Sequence, residues 1–233
     1  MSNVTHRRER GFTLVELSIV LVIIGLLIGA VLKGQELIDS ARLKSQMTQL
    51  QSYKTATSIF RDRYQALPGD MTDAVAKIGT TVSGVAVVNA TGNTANNGEL
   101  DGTGISSETA QYWLQLLGAG LITGVGTTGT TIENGGIVPD GKVGGYVQVI
   151  NDNPNGAPDA NFLRVGNANG LTAANTQDMM TGAQAGELDS QFDDGLANGG
   201  DIRSEGGTDC TSTGGVYNYT DGGAACVFFQ ILQ

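Results

Sequence analysis

Twenty-one consecutive residues, Phe12 to Leu32 (FTLVELSIVLVIIGLLIGAVL), carry a single charged side chain, Glu16. As a helix rising about 1.5 Å per residue, this run spans roughly 30 Å, the thickness of a bilayer hydrocarbon core. Arg7, Arg8 and Arg10 precede it, which holds the N-terminus in the cytoplasm and sends the bulk of the chain across. A cleaved secretory signal fits less well. The apolar run is long for one, and no clear small-x-small cleavage site precedes Lys33-Gly34-Gln35-Glu36. Glu16 is the anomaly, because a carboxylate inside a bilayer costs at least about 2.5 kcal/mol and marks a functional position by default. The plain alternative is an acid that snorkels to the interface. The sharper expectation is a positive partner on another subunit.

The helical pattern continues past the apolar run. Leu43, Met47, Leu50, Tyr53, Ala56, Phe60 and Tyr64 recur at a mean step of about 3.5, one face of an amphipathic helix. The first proline is Pro68, in Leu67-Pro68-Gly69-Asp70. Proline drives the residue before it out of the helical region and glycine permits the turn. One helix is therefore predicted from about Phe12 to about Tyr64. Its first half suits lipid, and its second half offers a stripe to a globular domain.

Charge divides the chain at the same place. Residues 66–233 hold four basic and eighteen acidic side chains, whereas residues 12–65 hold six basic and four acidic. An acidic bulk repels nucleic acid, which needs a clustered positive surface, so no nucleic-acid partner is expected. The lone His6 excludes a Ser-His-Asp triad, and two cysteines cannot form a Cys₄ zinc site. Nothing in the acidic part resembles a nucleophile–base pair, so an enzyme is not expected. Thirty-one glycines in that part, with tracts such as Asn89–Asn97 and Thr127–Thr131, predict many turns. Ser106-Ser107-Glu108 ahead of Tyr112–Leu117 reads as a short helix stopped by Gly118 and Gly120. Gly145–Ile150, Asn161–Val165 and Cys226–Leu232 read as strands. The expected class is α+β: a long N-terminal helix, membrane-spanning then amphipathic, packed on an antiparallel sheet.

Arg10-Gly11-Phe12-Thr13-Leu14-Val15-Glu16-Leu17, after a basic leader and before the apolar run, resembles the class III signal of type IV prepilins and pseudopilins. The resemblance covers about residues 7–65. It implies a leader, residues 1–11, removed by a prepilin peptidase that cuts between Gly11 and Phe12 and methylates the Phe12 amine. It implies that residues 12–65 stay as the anchor helix, with residues 12–32 in the membrane, and that residues 66–233 form the exported head. Glu16 would pair with the Phe12 amine of a neighbouring subunit and set the axial register. Implied partners are other pilin subunits, the peptidase, an inner-membrane assembly platform with its ATPase, and membrane lipid before assembly. The implied place is the inner membrane, then a filament in the periplasm or outside the cell. Lys33-Gly34 stands where many members of the family have a proline, so no proline kink is expected.

With that topology, Cys210 and Cys226 lie where disulfides persist, and they resemble the disulfide-bounded C-terminal region of many pilins; two buried thiols are the alternative. Two acidic stretches are candidate calcium loops, as in some pseudopilins: Asn97, Glu99, Asp101 and Glu108, or Asp189, Asp193, Asp194 and Asp201. Neither matches the full EF-hand pattern. The functional expectation is a pilin or minor pilin of a type IV pilus-like filament. A pseudopilin of a type II secretion system is the alternative, ahead of a membrane-anchored binding protein or enzyme.

Overall fold

The computed structural model describes residues 11–92, 95–102, 106–125, 137–154, 158–166, 179–207, 209–212, 214–220, 223 and 226–232. The leader arginines and the Thr127–Thr131 tract lie outside them. Contacts divide the chain into two compact units, Met1–Ala41 and Arg42–Gln233, so the boundary falls inside the first helix.

That helix, α1, runs Leu14–Tyr64. In the Met1–Ala41 unit its large apolar side chains are exposed, Leu14 at 86% and Leu26 at 73%. Water cannot be the solvent for so continuous an apolar surface, but lipid or neighbouring helices can. The helix is long and apolar enough there to cross a membrane.

The Arg42–Gln233 unit buries the expected stripe. Leu43, Met47, Leu50, Tyr53, Ala56 and Phe60 are core residues, and Tyr64 packs against the core from a half-buried position. Gln46 and Thr57 are buried with them, each bonded: Gln46 Oε1 accepts from the Lys142 amide at 2.6 Å, and Thr57 Oγ1 lies 2.5 Å from the Tyr112 hydroxyl. After α1 come a short helix α2 (Ala74–Ile78), a two-stranded hairpin β1 (Thr81–Val82) and β2 (Val85–Ala86), and helix α3 (Glu108–Gly118). Trp113 of α3 meets Tyr53 edge-on at 4.9 Å and Tyr112 at 4.8 Å. Such pairs add about 1 kcal/mol beyond the area they bury.

Four antiparallel strands follow in the order β3-β4-β6-β5: β3 Tyr146–Asp152, β4 Ala160–Gly166, β5 Ile202–Gly206 and β6 Cys226–Ile231. Helix α4 (Gly182–Phe192) precedes β5. Alternation along the strands sends Val147, Val149, Leu163, Val165 and Phe228 to the core shared with α1. On the other face Phe162, Val227 and Phe229 form a second cluster. Arg164 is buried beside it, donating from Nη2 to Gln148 Oε1 at 2.5 Å. The α+β class, the long helix and the antiparallel sheet are as expected. The hairpin, α2, α4 and β5 are additional.

The turn after α1 ties three elements together. Gly69 donates its N–H to Gln115 Oε1 of α3 at 2.7 Å. Asp70, buried, accepts from the amides of Asn96 and Gly98, the latter at 2.8 Å. Asn161 of β4 holds the same loop, accepting from Leu100 N–H at 2.9 Å and donating to Gly98 O at 2.7 Å.

Candidate functional site

At its N-terminus, α1 is capped by its own first residues. Thr13 precedes the first helical residue, and Glu16 is the third. The Glu16 amide donates to Thr13 Oγ1 at 3.2 Å. Glu16 Oε2 accepts from the Thr13 amide and from the Thr13 hydroxyl, both at 2.9 Å. This is a capping box, Thr-x-x-Glu, in which two orphan donors at the helix start are satisfied reciprocally. It gives the lone acid of the apolar run local partners, and it puts a negative group at the positive end of the helix dipole. The Thr13–Glu16 spacing was readable in the sequence, and a reading centred on Glu16 passes over Thr13 as its capping partner.

Gly11 and Phe12 lie ahead of the helix. A Cβ at Gly11 would meet no heavy atom within 4 Å. Among the described residues, nothing crowds that position. Phe12 is almost fully exposed.

At the other end, Cys210 and Cys226 form a disulfide, and both are fully buried. Closing a loop of this size removes about 3 kcal/mol of chain entropy from the unfolded state. The bond joins the start of β6 to a loop whose Tyr217 is also buried. Met180 pairs with Cys226 as an isolated bridge, so the disulfide also anchors the approach to α4. That helix begins with its own capping box, Thr181 with Gln184.

The Asp189, Asp193 and Asp194 carboxylates come within 4.8 Å of one another at the C-terminal end of α4. Asp189 is fully buried; its Oδ2 accepts from the Tyr217 hydroxyl at 2.7 Å and its Oδ1 from Gly195 N–H at 3.0 Å. Asp193 accepts from Ile202 N–H at 2.7 Å, and Asp194 from Leu196 N–H at 2.8 Å. A Cβ at Gly200, whose φ is +57, would collide with the Asp193 carboxylate, which accounts for the glycine. Asp201 is not among the three gathered carboxylates and pairs with Lys54 of α1 at 3.4 Å. In the other acidic stretch, Asn97 Oδ1 accepts from Glu99 N–H at 2.9 Å and Glu108 Oε2 from Asp101 N–H at 3.0 Å. Those bonds close a turn onto the start of α3. Among the described residues, Glu99, Asp101 and Glu108 are not gathered as the Asp189 trio is. The trio offers hard oxygens of the class calcium takes, though an ion would need further ligands from carbonyls or water.

Burial pushes the Asp189 carboxyl up to about 6; the Tyr217 and Gly195 bonds pull it down, and Asp194 and Asp193 add to the rise. The folded state then holds its proton more tightly than the unfolded chain. Stability from this group is fully present below about pH 4 and is lost as pH rises through 6, by up to about 3 kcal/mol. With EDTA present, melting followed by fluorescence of Trp113, the single tryptophan, is expected to fall by several degrees from pH 5 to pH 7.5, and Asp189→Asn to flatten that slope. An unchanged slope in the variant would assign the pH dependence to other groups. A cation held by the trio favours the ionised acids. If calcium binds there, millimolar calcium raises melting at pH 7.5; no rise leaves the trio as a brace of its own loop.

Comparison with known proteins bears on the N-terminal segment. Residues 6–32 match the family model described as the prokaryotic N-terminal methylation motif. No curated protein and no solved structure matches the chain. The matched segment holds Gly11, Phe12, Thr13, Glu16 and the apolar run together.

Proposed function

We propose that this chain, which carries the prepilin signal of type IV pilins and pseudopilins, is a pilin or minor pilin of a type IV pilus-like filament. A pilin-like or pseudopilin subunit is what the motif marks, a structural kind of protein that is generally not enzymatic. The single observation that carries the reading is the matched segment itself, whose apolar helical side chains are exposed among the described residues. The motif implies processing by prepilin peptidase and assembly into filaments.

The chemistry follows from the first five residues of the proposed mature chain. Cleavage between Gly11 and Phe12 creates a cationic amine two residues ahead of α1. A cation is disfavoured at the positive end of a helix, and a bare charge is disfavoured in lipid. Glu16 offsets both. In the single chain its carboxylate is held by Thr13. In the filament it takes the Phe12 amine of a neighbour, which fixes the axial offset between helices. Residues 1–11 act as the leader, residues 12–65 as the anchor and assembly helix, and residues 66–233 as the head outside the inner membrane.

A Gly11→Val precursor tests the processing step. Val adds a branched side chain where the peptidase must approach the backbone closely. The variant is expected to keep its leader, with intact mass showing at least about ten-fold less cleaved chain, a barrier change of roughly 1.4 kcal/mol or more. Cleavage at the normal rate would remove Gly11 from the site. Deletion separates the two filament types. Loss of surface fibres with secretion intact supports a pilin, and loss of secretion without loss of fibres supports a type II secretion pseudopilin.

A further inference from the structure

Five asparagines of this chain stand directly before a glycine: Asn97, Asn134, Asn155, Asn169 and Asn198. Such a pair can react with itself. The glycine nitrogen attacks the asparagine Cγ, and the glycine has no Cβ to hinder the close approach. Asn97 and Asn198 fall among the described residues, and both are exposed. The other three lie outside them. The surroundings of the two described pairs differ in what they do to the reacting atoms.

At Asn97–Gly98 each atom that must change has a suitable neighbour. The nucleophile, Gly98 N–H, donates to Asp70 Oδ2 at 2.8 Å. A carboxylate within hydrogen-bond reach of the proton that must leave is placed as a general base. Asn97 Oδ1, where negative charge develops, accepts from Glu99 N–H at 2.9 Å. A fixed backbone donor at that oxygen stabilises a tetrahedral intermediate. Asn97 Nδ2, the leaving group, donates to Glu99 Oε2 at 3.5 Å. The turn is gripped from both sides, because Asp70 is buried and Asn161 Nδ2 donates to Gly98 O at 2.7 Å. At Asn198–Gly199 the nitrogen instead donates to the Leu196 carbonyl at 3.0 Å, and a carbonyl does not take the proton. The Asn198 side chain there lies over Gly215, where a Cβ would collide with its Oδ1.

We propose that Asn97–Gly98 is a self-modifying site, at which Asp70 and the Glu99 amide promote deamidation of Asn97 in the folded head. Gly98 N bonds to Asn97 Cγ while its proton passes to Asp70. The Cγ–Nδ2 bond then breaks, the proton goes to the departing amine, and ammonia leaves. Water opens the cyclic imide at either carbonyl and gives aspartate or isoaspartate. Nothing is oxidised or reduced, and one water is consumed for each ammonia released. The product adds a carboxylate to a turn that already carries Glu99 and Asp101. Isoaspartate also lengthens the backbone by a methylene inside the grip of Asp70 and Asn161, so the turn loosens as a subunit ages. The filament reading is not needed for any of these steps.

The test compares one chain folded and unfolded. The full chain is incubated at neutral pH in detergent, and in parallel in guanidinium chloride, and peptide mass spectrometry follows Asn97 and Asn198. Asn97 is expected to convert at least about ten-fold faster in the folded chain than in the unfolded one, the low end of what a placed base contributes. Asn198 is expected to convert faster unfolded. In the folded chain, Asp70→Asn is expected to bring Asn97 down to the unfolded rate or below, with Trp113 emission checking the fold. If that variant does not fold, the wild-type comparison decides alone. Conversion of Asn97 no faster folded than unfolded would show that these bonds restrain the turn and do not activate it, which overturns the proposal. A folded Asp70→Asn chain that converts at the wild-type rate overturns the role of Asp70.

Discussion

A Glu16→Ala precursor is expected to enter the membrane and lose its leader, yet to give at least about a hundred-fold fewer filaments. Removing one member of a buried charge pair costs about 3–5 kcal/mol, because the other is left uncompensated, and a hundred-fold corresponds to about 2.7 kcal/mol. In the single chain the carboxylate accepts two bonds from Thr13. A conservative change therefore separates cap from charge. Glu16→Gln keeps an acceptor for the Thr13 amide and loses the charge. If Glu16 serves only to start the helix, the Gln variant assembles normally. If it pairs with the Phe12 amine, the Gln variant fails nearly as badly as Ala. Sheared-filament yield, normalised to processed subunit in the membrane, reads both. A normal yield from Glu16→Ala would remove its role in register.

Gly69→Ala is expected to destabilise the head by at least about 3 kcal/mol, from a strained left-handed backbone and a clash that a neighbouring backbone cannot relieve. Gly69 has a φ of +92, and a Cβ there would sit on the carbonyl oxygen of Glu108, the first residue of α3. The same residue donates its N–H to Gln115 Oε1, and Asp70 beside it clamps the Asn96–Gly98 loop. Shifting Gly69 therefore disturbs the junction of α1, α3 and that loop together. Denaturant unfolding followed at Trp113 measures the loss; a change below about 1 kcal/mol would show that the junction yields freely. Ala66, half-buried one turn earlier in the chain, is a fitting control for substitution in this segment.

The parts of the fold that could be read from sequence were those with long, uninterrupted patterns. The apolar run and the stripe from Leu43 to Tyr64 extend over some fifty residues with no proline, and local periodicity suffices there. Strand β6 could be read because CVFFQI is dense in β-branched and aromatic residues. Helix α4 could not. GAQAGELDSQF has few apolar residues to show a period, and its clearest signal was the Thr181-x-x-Gln184 capping box. Once α4 is in place, Asp189 becomes a buried helical residue and Asp193 and Asp194 the loop that follows. In the sequence alone they are a candidate calcium loop together with Asp201, with no sign that Asp189 is buried. Asp70 gives the same lesson at long range. It serves a loop 26 to 28 residues away, a relation that only the folded chain displays. At the N-terminus the reverse held, because Gly11, Phe12, Thr13 and Glu16 lie within six residues and their chemistry is local.

The most direct test of the account is the N-terminus of the chain recovered from membranes. Intact mass and N-terminal fragmentation are expected to show a chain that begins at Phe12 and carries one methyl group on its amine, with Cys210 and Cys226 still joined. A chain that keeps residues 1–11, or one cut beyond Leu32 so that the apolar helix is lost, would contradict it.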